Sequence, residues 1–240
     1  MRVVVSQSMY FPWVGMLEQI RLAELYVRYD DVQFSKGSFT NRVQVKTAAG
    51  SAWLSVPLRN FRLGQRIDEV EIDDRTDWRD RHRGILRQAY WHAPFREDML
   101  ALVDDVFAQP AATIADVAHA SMWALAGYFG LGASVQLIDS SAFSIAGSSS
   151  RRLLDVVRAV GGTTYVTGHG ARNYLDHGMF EDAGIAVEYM QYQCIPYPQL
   201  HGTFTPYVTA LDLLANCGRE GQHVIQPLTI NWRKFTDEST

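Results

Sequence analysis

RVVVSQSMYFPWVGMLEQIRLAELYVRYDDVQF, residues 2–34, decides the fold. Its opening, Arg2 to Ser6, is a β-branched run without polar alternation, the pattern of a strand buried on both faces. Pro12 suits the first turn of a helix, and Met16, Ile20 and Ala23 recur at i, i+4, i+7, which predicts a helix over residues 13–24. LYVRYDDVQF, residues 25–34, returns as a strand. Strand, helix and strand in so short a span make a βαβ unit, whose second strand runs parallel to the first.

Outward from this unit the alternation continues. Residues 42–59 read as a hairpin turning across Ala48–Gly50, and IDEVEID, residues 67–73, as a further strand. Residues 77–129 change to helical spacing and predict a three-helix layer broken near Pro94 and Pro110. Strands follow at 134–139, 163–168 and 185–192. Between the first two lies a helix capped by Ser149 or Ser150 and ended by Gly161–Gly162. Thr209 caps a last helix over residues 210–218. The expected fold is α/β: a three-layer, mostly parallel, Rossmann-like sheet in one domain over residues 1–240, with a helical insertion at 77–130.

The 240 residues carry 22 basic and 26 acidic side chains, a net charge of −4 with no basic block, so no dedicated nucleic-acid surface is expected. Two cysteines, Cys194 and Cys217, fit a reducing compartment better than a disulfide framework. No apolar run of membrane-spanning length and no signal-peptide pattern appears, so a cytoplasmic protein without membrane contact is expected.

Ligands of open parallel sheets gather beyond the carboxyl ends of the strands, and several expected strands end in unusual residues. The first ends in Gln7, then Tyr10, Phe11 and Trp13. Phe11 and Trp13 either plug a hole beneath the helical layer or form a shelf for a planar ligand, with Gln7 and Tyr10 bonding at its edge. Asp30 and Asp31 follow the second strand; adjacent residues of an extended chain face opposite ways, so at most one aims into a given pocket, and the other reading is a turn cap. Lys36, Asn41 and Arg42 are either a clamp for phosphate or carboxylate or a solvated hairpin edge. TGHGAR places His169 between glycines at a strand end, as a candidate general base, with Arg172 close by. Cys194 is either an inert thiol or a nucleophile that needs His169 as partner, and Tyr197 and Gln199 form a far wall. The Walker loop, GxGxxG, HExxH, GxSxG and paired CxxC are all missing, and no metal set is expected.

QSMYFPWVGMLEQI, VRYDDVQFSKGSFTNRV, WLSVPL, YWHAPF, SSRRLLDVVRAVGGTTYVTGHGARNYLD and YPQLHGTFTPYVTALDLLANCG, in that order over nearly the whole chain, resemble the WbqC-like family of bacterial proteins. Ser8 stands where that family commonly has Pro, Thr167 and Thr209 where it has Ser, and Cys194 where His is more frequent. The resemblance implies a role in O-antigen polysaccharide or specialised-metabolite biosynthesis and a suggested transfer of glycine or another aminoacyl group. The opening also resembles adenylyl-transferring α/β enzymes of the nucleotidyltransferase or HUP-like kind. By that analogy of fold, ATP is the one cofactor to expect, with Lys36, Arg42 or Arg172 meeting its phosphates.

Three classes of function follow. The first is an acyl or aminoacyl transferase acting on an amino sugar or small metabolite, with an aminoacyl donor such as aminoacyl-tRNA. There His169 is the base, Asp30, Tyr10 and Cys194 are further catalytic candidates, and Gln7, Arg42 and Lys36 hold the substrate. The second is an ATP-dependent ligase that forms an adenylate, and the third a non-catalytic subunit of a biosynthetic pathway. Glycosyl transfer ranks lower, since Asp30-Asp31 lacks the Asp-x-Asp spacing for a nucleotide-sugar metal.

Overall fold

The computed structural model describes residues 1–237. In chain order it begins with β1 (Arg2–Ser6), α1 (Val14–Leu22) and β2 (Leu25–Arg28), then a hairpin of β3 (Arg42–Thr47) and β4 (Gly50–Ser55). Three helices follow, α2 (Trp78–Ala89), α3 (Arg96–Ala108) and α4 (Ile114–Tyr128). The chain then runs through β5 (Gln136–Asp139), α5 (Ser149–Ala159), β6 (Thr164–Thr167), α6 (His177–Asp182) and β7 (Ala186–Met190). It finishes with α7 (Ala210–Cys217), β8 (Thr229–Asn231) and α8 (Trp232–Asp237).

The sheet order is β5-β2-β1-β6-β7-β8, parallel throughout except for β8, which pairs antiparallel with β7. Val4 of β1 sits in register with Tyr26 on one side and Val166 on the other. The alternation of a strand then sorts side chains into two cores. Val4, Tyr26 and Val166 pack with residues of α1, α3, α4 and α7, whereas Val3, Val5, Leu25, Val27, Tyr165 and Val187 pack with α5 and Phe180 of α6. That is why the VVV run carries no polar face: helices cover both sides, and the fold is three-layer α/β. The β3–β4 hairpin forms a separate two-stranded sheet and adds Val43, Val45 and Leu54 to the first core. Among the described residues no helix is long and apolar enough to cross a membrane.

Four local expectations are corrected. The strand expected at 67–73 is a 3₁₀ turn, Ile67–Glu69, followed by single bridges at Glu71 and Ile72. Its buried residues, Ile67, Val70 and Ile72, are spaced three then two apart, so a turn is needed to bring all of them inward. The second strand stops at Arg28, and residues 29–34 leave the sheet as a loop. The α5 N-cap is Ser148, and Ser149 lies just inside at φ +54. Finally, α7 is not the last helix; β8 and α8 close the far edge, in a segment too short and mixed to carry a periodic signal.

Candidate functional site

β1 is followed in the chain by a neighbour on one side, β2, while β6 opens the other half of the sheet on its opposite edge. Connections therefore leave the carboxyl ends of β1 and β6 in opposite directions, and a crevice opens between them. A cavity of about 770 Å³ occupies it. That size holds a nucleotide or a metabolite of similar bulk. Its floor is the end of β1 (Val5, Ser6, Gln7) and of β6 (Tyr165, Thr167, Gly168), and its walls are the loop after β2 and the start of α5.

Gly147, Ser148 and Ser149, at the start of α5, form one wall. Gly147 has φ +101, and Ser148 is extended with no side-chain hydrogen bond to the helix it caps. Its hydroxyl and the first amides of an 11-residue helix are thus not tied to each other, and the positive end of the helix dipole faces this crevice. Ser150 is buried and ties the turn down, donating to the Tyr174 carbonyl at 3.2 Å and accepting from the Asp176 amide at 2.9 Å.

One turn further along α5, Arg152 is 7% exposed and lies over the Tyr29 ring at 4.8 Å. It donates to the Ile145 carbonyl at 2.9 Å and to Asp31 Oδ2 at 2.5 Å, and Ser140 Oγ donates to Asp31 Oδ1 at 2.5 Å. A buried charge pair is tolerable only when each partner is fully bonded in this way. Burial raises the pKa of Tyr29, with Arg152 opposing it, and raises that of Tyr174, so both of these cavity-lining side chains keep neutral hydroxyls. Gln19 reaches the cavity from α1. A Cβ on Gly168 would stand 2.7 Å from Gln19 Nε2, so only glycine lets this amide and the end of β6 approach so closely.

Of the residues singled out in the sequence, Gln7 lines this cavity, as does Asp31 of the acidic pair. Asp30 turns the other way: it is 4% exposed and accepts from the Ser8 amide at 2.8 Å and the Ser8 hydroxyl at 2.6 Å. Burial raises its pKa and the Ser8 bonds oppose the rise. Tyr10 and Phe11 are wholly buried, Tyr10 Oη lying 2.9 Å from His82 Nδ1 and Phe11 packing edge-on to Phe107. Phe11 makes this inward bend at φ +38, with its amide on Ser121 Oγ at 2.8 Å. The aromatic loop is therefore core. Trp13 meets Tyr192 and Tyr207 edge-on or tilted, and its ring lies over Gly15, where a Cβ would come within 2.2 Å.

His169 is flanked by two cavity residues, Gly168 and Gly170, but its own ring lies 2.8 Å from the Met190 carbonyl and against Phe235. Arg172 is exposed beyond it. Cys194, at φ +50, lies beside Tyr207, and no hydrogen bond joins it to His169. Tyr197 and Gln199 belong to a separate buried network. Gln199 Nε2 donates to Tyr197 Oη at 3.0 Å, Lys46 Nζ donates to Gln199 Oε1 at 3.0 Å, and Tyr90 Oη donates to Asp212 Oδ2 at 3.1 Å. Burial pushes Asp212 up to about 6, partly offset by its hydroxyl donors. Lys36, Asn41 and Arg42 line another cleft, which shares no lining residue with the crevice.

The structure thus divides the expected single site. It also adds residues that the sequence reading did not assign to a site: Gln19, Tyr29, Gly147, Ser148, Ser149, Arg152 and Tyr174. One signal for them was in view: GSSSRR, residues 147–152, puts a glycine and three hydroxyls where a helix starts after a strand.

The sequence model of the WbqC-like protein family matches residues 7–224, a span holding every residue of the cavity wall except Val5 and Ser6. The chain is also similar to the uncharacterized protein Rv1507c of Mycobacterium tuberculosis. The two are 32% identical over 222 residues, 91% of this chain and 95% of that protein. No solved structure matches it.

Proposed function

Starting from the WbqC-like protein family, to which this chain belongs, we propose that the protein activates a carboxylic acid with ATP in the switch-point cavity and passes the acyl group to an amine. In the reaction the carboxylate displaces pyrophosphate from the α-phosphorus, and the amine then displaces AMP from the acyl carbon, losing a proton to solvent. The observation that carries this reading is the position of Gly147, Ser148 and Ser149. They set an uncapped helix start beside the ends of β1 and β6, in a cavity of about 770 Å³. Such a start suits phosphate. Arg152 presents a guanidinium at the wall, its charge balanced by Asp31, and Gln7 and Gln19 supply amides that orient the rest of the ligand. We take the acceptor to be an amino sugar or a small amine-bearing metabolite, the class that the family resemblance suggests.

Binding of ATP and AMP, with magnesium present, tests this by calorimetry, and pyrophosphate exchange tests the chemistry. We expect dissociation constants between about 1 μM and 1 mM. Ser148→Ala removes a donor to an anion and weakens binding about ten-fold. Failure of both nucleotides to bind the folded protein overturns the reading, and acyl transfer that proceeds without ATP overturns its first step.

A further inference from the structure

The loop after β2 has a second cleft on the side of the β3–β4 hairpin, about 680 Å³, lined by Lys36, Gly37, Asn41, Arg42, Leu58 and Phe61 among others. Three buried polar atoms in this short segment have no hydrogen-bond partner: Ser38 Oγ, Asn41 Oδ1 and Arg42 Nε. Unpaired buried groups of this kind cost free energy, and native proteins rarely keep several together without a purpose.

Their geometry is fixed. Asn41 lines the cleft and is 8% exposed, and its Nδ2 donates to the Val56 carbonyl at 3.2 Å, which leaves Oδ1 buried and unpaired beside the cleft. The Arg42 guanidinium lies 4.2 Å from the centre of the Trp53 ring. It also packs over Gly37, where a Cβ would come 3.2 Å from its carbon and where φ is +81. No carboxylate among the described residues pairs with Arg42 or Lys36. The cleft is therefore lined by two cationic side chains, by Asn41 with its unpaired Oδ1, and by the apolar Leu58 and Phe61.

We propose that this cleft is a second ligand site, for a small carboxylate that carries a hydroxyl or ammonium donor next to its charge. The carboxylate meets Arg42, the neighbouring donor meets Asn41 Oδ1, and Lys36 adds charge at the rim. An anion alone leaves Asn41 unsatisfied, and a neutral donor alone leaves Arg42 so. The inference uses no residue of the nucleotide cavity and stands or falls separately from the function proposed there.

The test is titration of the nitrogen-15-labelled full chain with L-lactate, L-alanine and propionate, following the Arg42 Nε–H resonance, assigned by its loss in Arg42→Lys. Lactate or alanine is expected to shift it saturably, and propionate, which lacks the donor, to bind at least about ten-fold more weakly. Asn41→Ala, checked for native dispersion of its spectrum, is expected to remove that preference while still binding carboxylate. The proposal is overturned by no saturable shift with any probe in the wild-type protein, by equal binding of all three, or by inorganic phosphate outcompeting them. An ATP titration of the same sample reports on the other cavity and does not move this resonance.

Discussion

At Asp30 and Asp31 two identical side chains take opposite directions from adjacent positions of the loop after β2, one bracing Ser8 in the interior, the other meeting Arg152 at the cavity. The Asp31–Arg152 pair is nearly closed to solvent, its side chains 9% and 8% exposed. Asp31→Ala strands the guanidinium, and we expect a loss of about 3 to 5 kcal/mol in urea unfolding, most of it recovered in Asp31→Ala/Arg152→Met. A double variant as unstable as the single one would contradict this. The sequence reading expected the two aspartates to diverge by strand alternation; they diverge from a loop instead, and which of them faces the cavity was not legible. The aromatic run was harder to read. Its rings follow a strand end, where ligands gather, yet Phe11 at φ +38 folds the chain back so that Tyr10 reaches His82, 72 residues further on. A contact so remote leaves no local trace.

Elements were more legible than their junctions. The buried VVV run, the helical spacing of the insertion and the hairpin each followed from periodicity. The 3₁₀ turn at Ile67–Glu69 and the antiparallel β8 did not, because three-residue elements are too short for a period. Junctions depend on tertiary partners, as Thr209 illustrates. Its hydroxyl accepts from the Leu211 amide at 3.2 Å to cap α7 and donates to the Phe11 carbonyl at 2.7 Å. Its own amide donates to the Gln44 carbonyl at 2.9 Å, so helix, aromatic loop and hairpin meet at one buried residue. Thr209→Val keeps the shape and leaves two buried groups unpaired. We expect it to cost about 2 kcal/mol, with Thr209→Ser close to wild type, both measured by chemical unfolding. Equal stability of the two variants would show that the bonds contribute nothing.

Across the whole molecule, buried titratable groups pull in opposite directions with pH. Burial lowers His82 and His119 to about 4, so the unfolded chain takes up protons there first and stability falls as pH drops from 6.5 toward 4. Burial raises Glu18 from 4.5 to about 7, with the Gln226 amide opposing. A carboxyl raised on folding holds its proton more tightly when folded, so its contribution is present below 4.5 and is lost as pH climbs through 7. We therefore expect the stability of Glu18→Gln relative to wild type to improve steadily between those two values in unfolding experiments. A gap independent of pH would mean that Glu18 is ionised in both states.

β1 is synthesised before the other strands of its sheet, yet it belongs at the sheet's centre. Its partner on one flank, β2, emerges almost at once, while that on the other, β6, waits until Thr164 has been translated. Throughout that interval the nascent chain carries an open apolar edge, the kind of surface that recruits chaperones or neighbouring polysomes. Premature termination before Thr164 would thus yield a fragment prone to self-association rather than a smaller working unit.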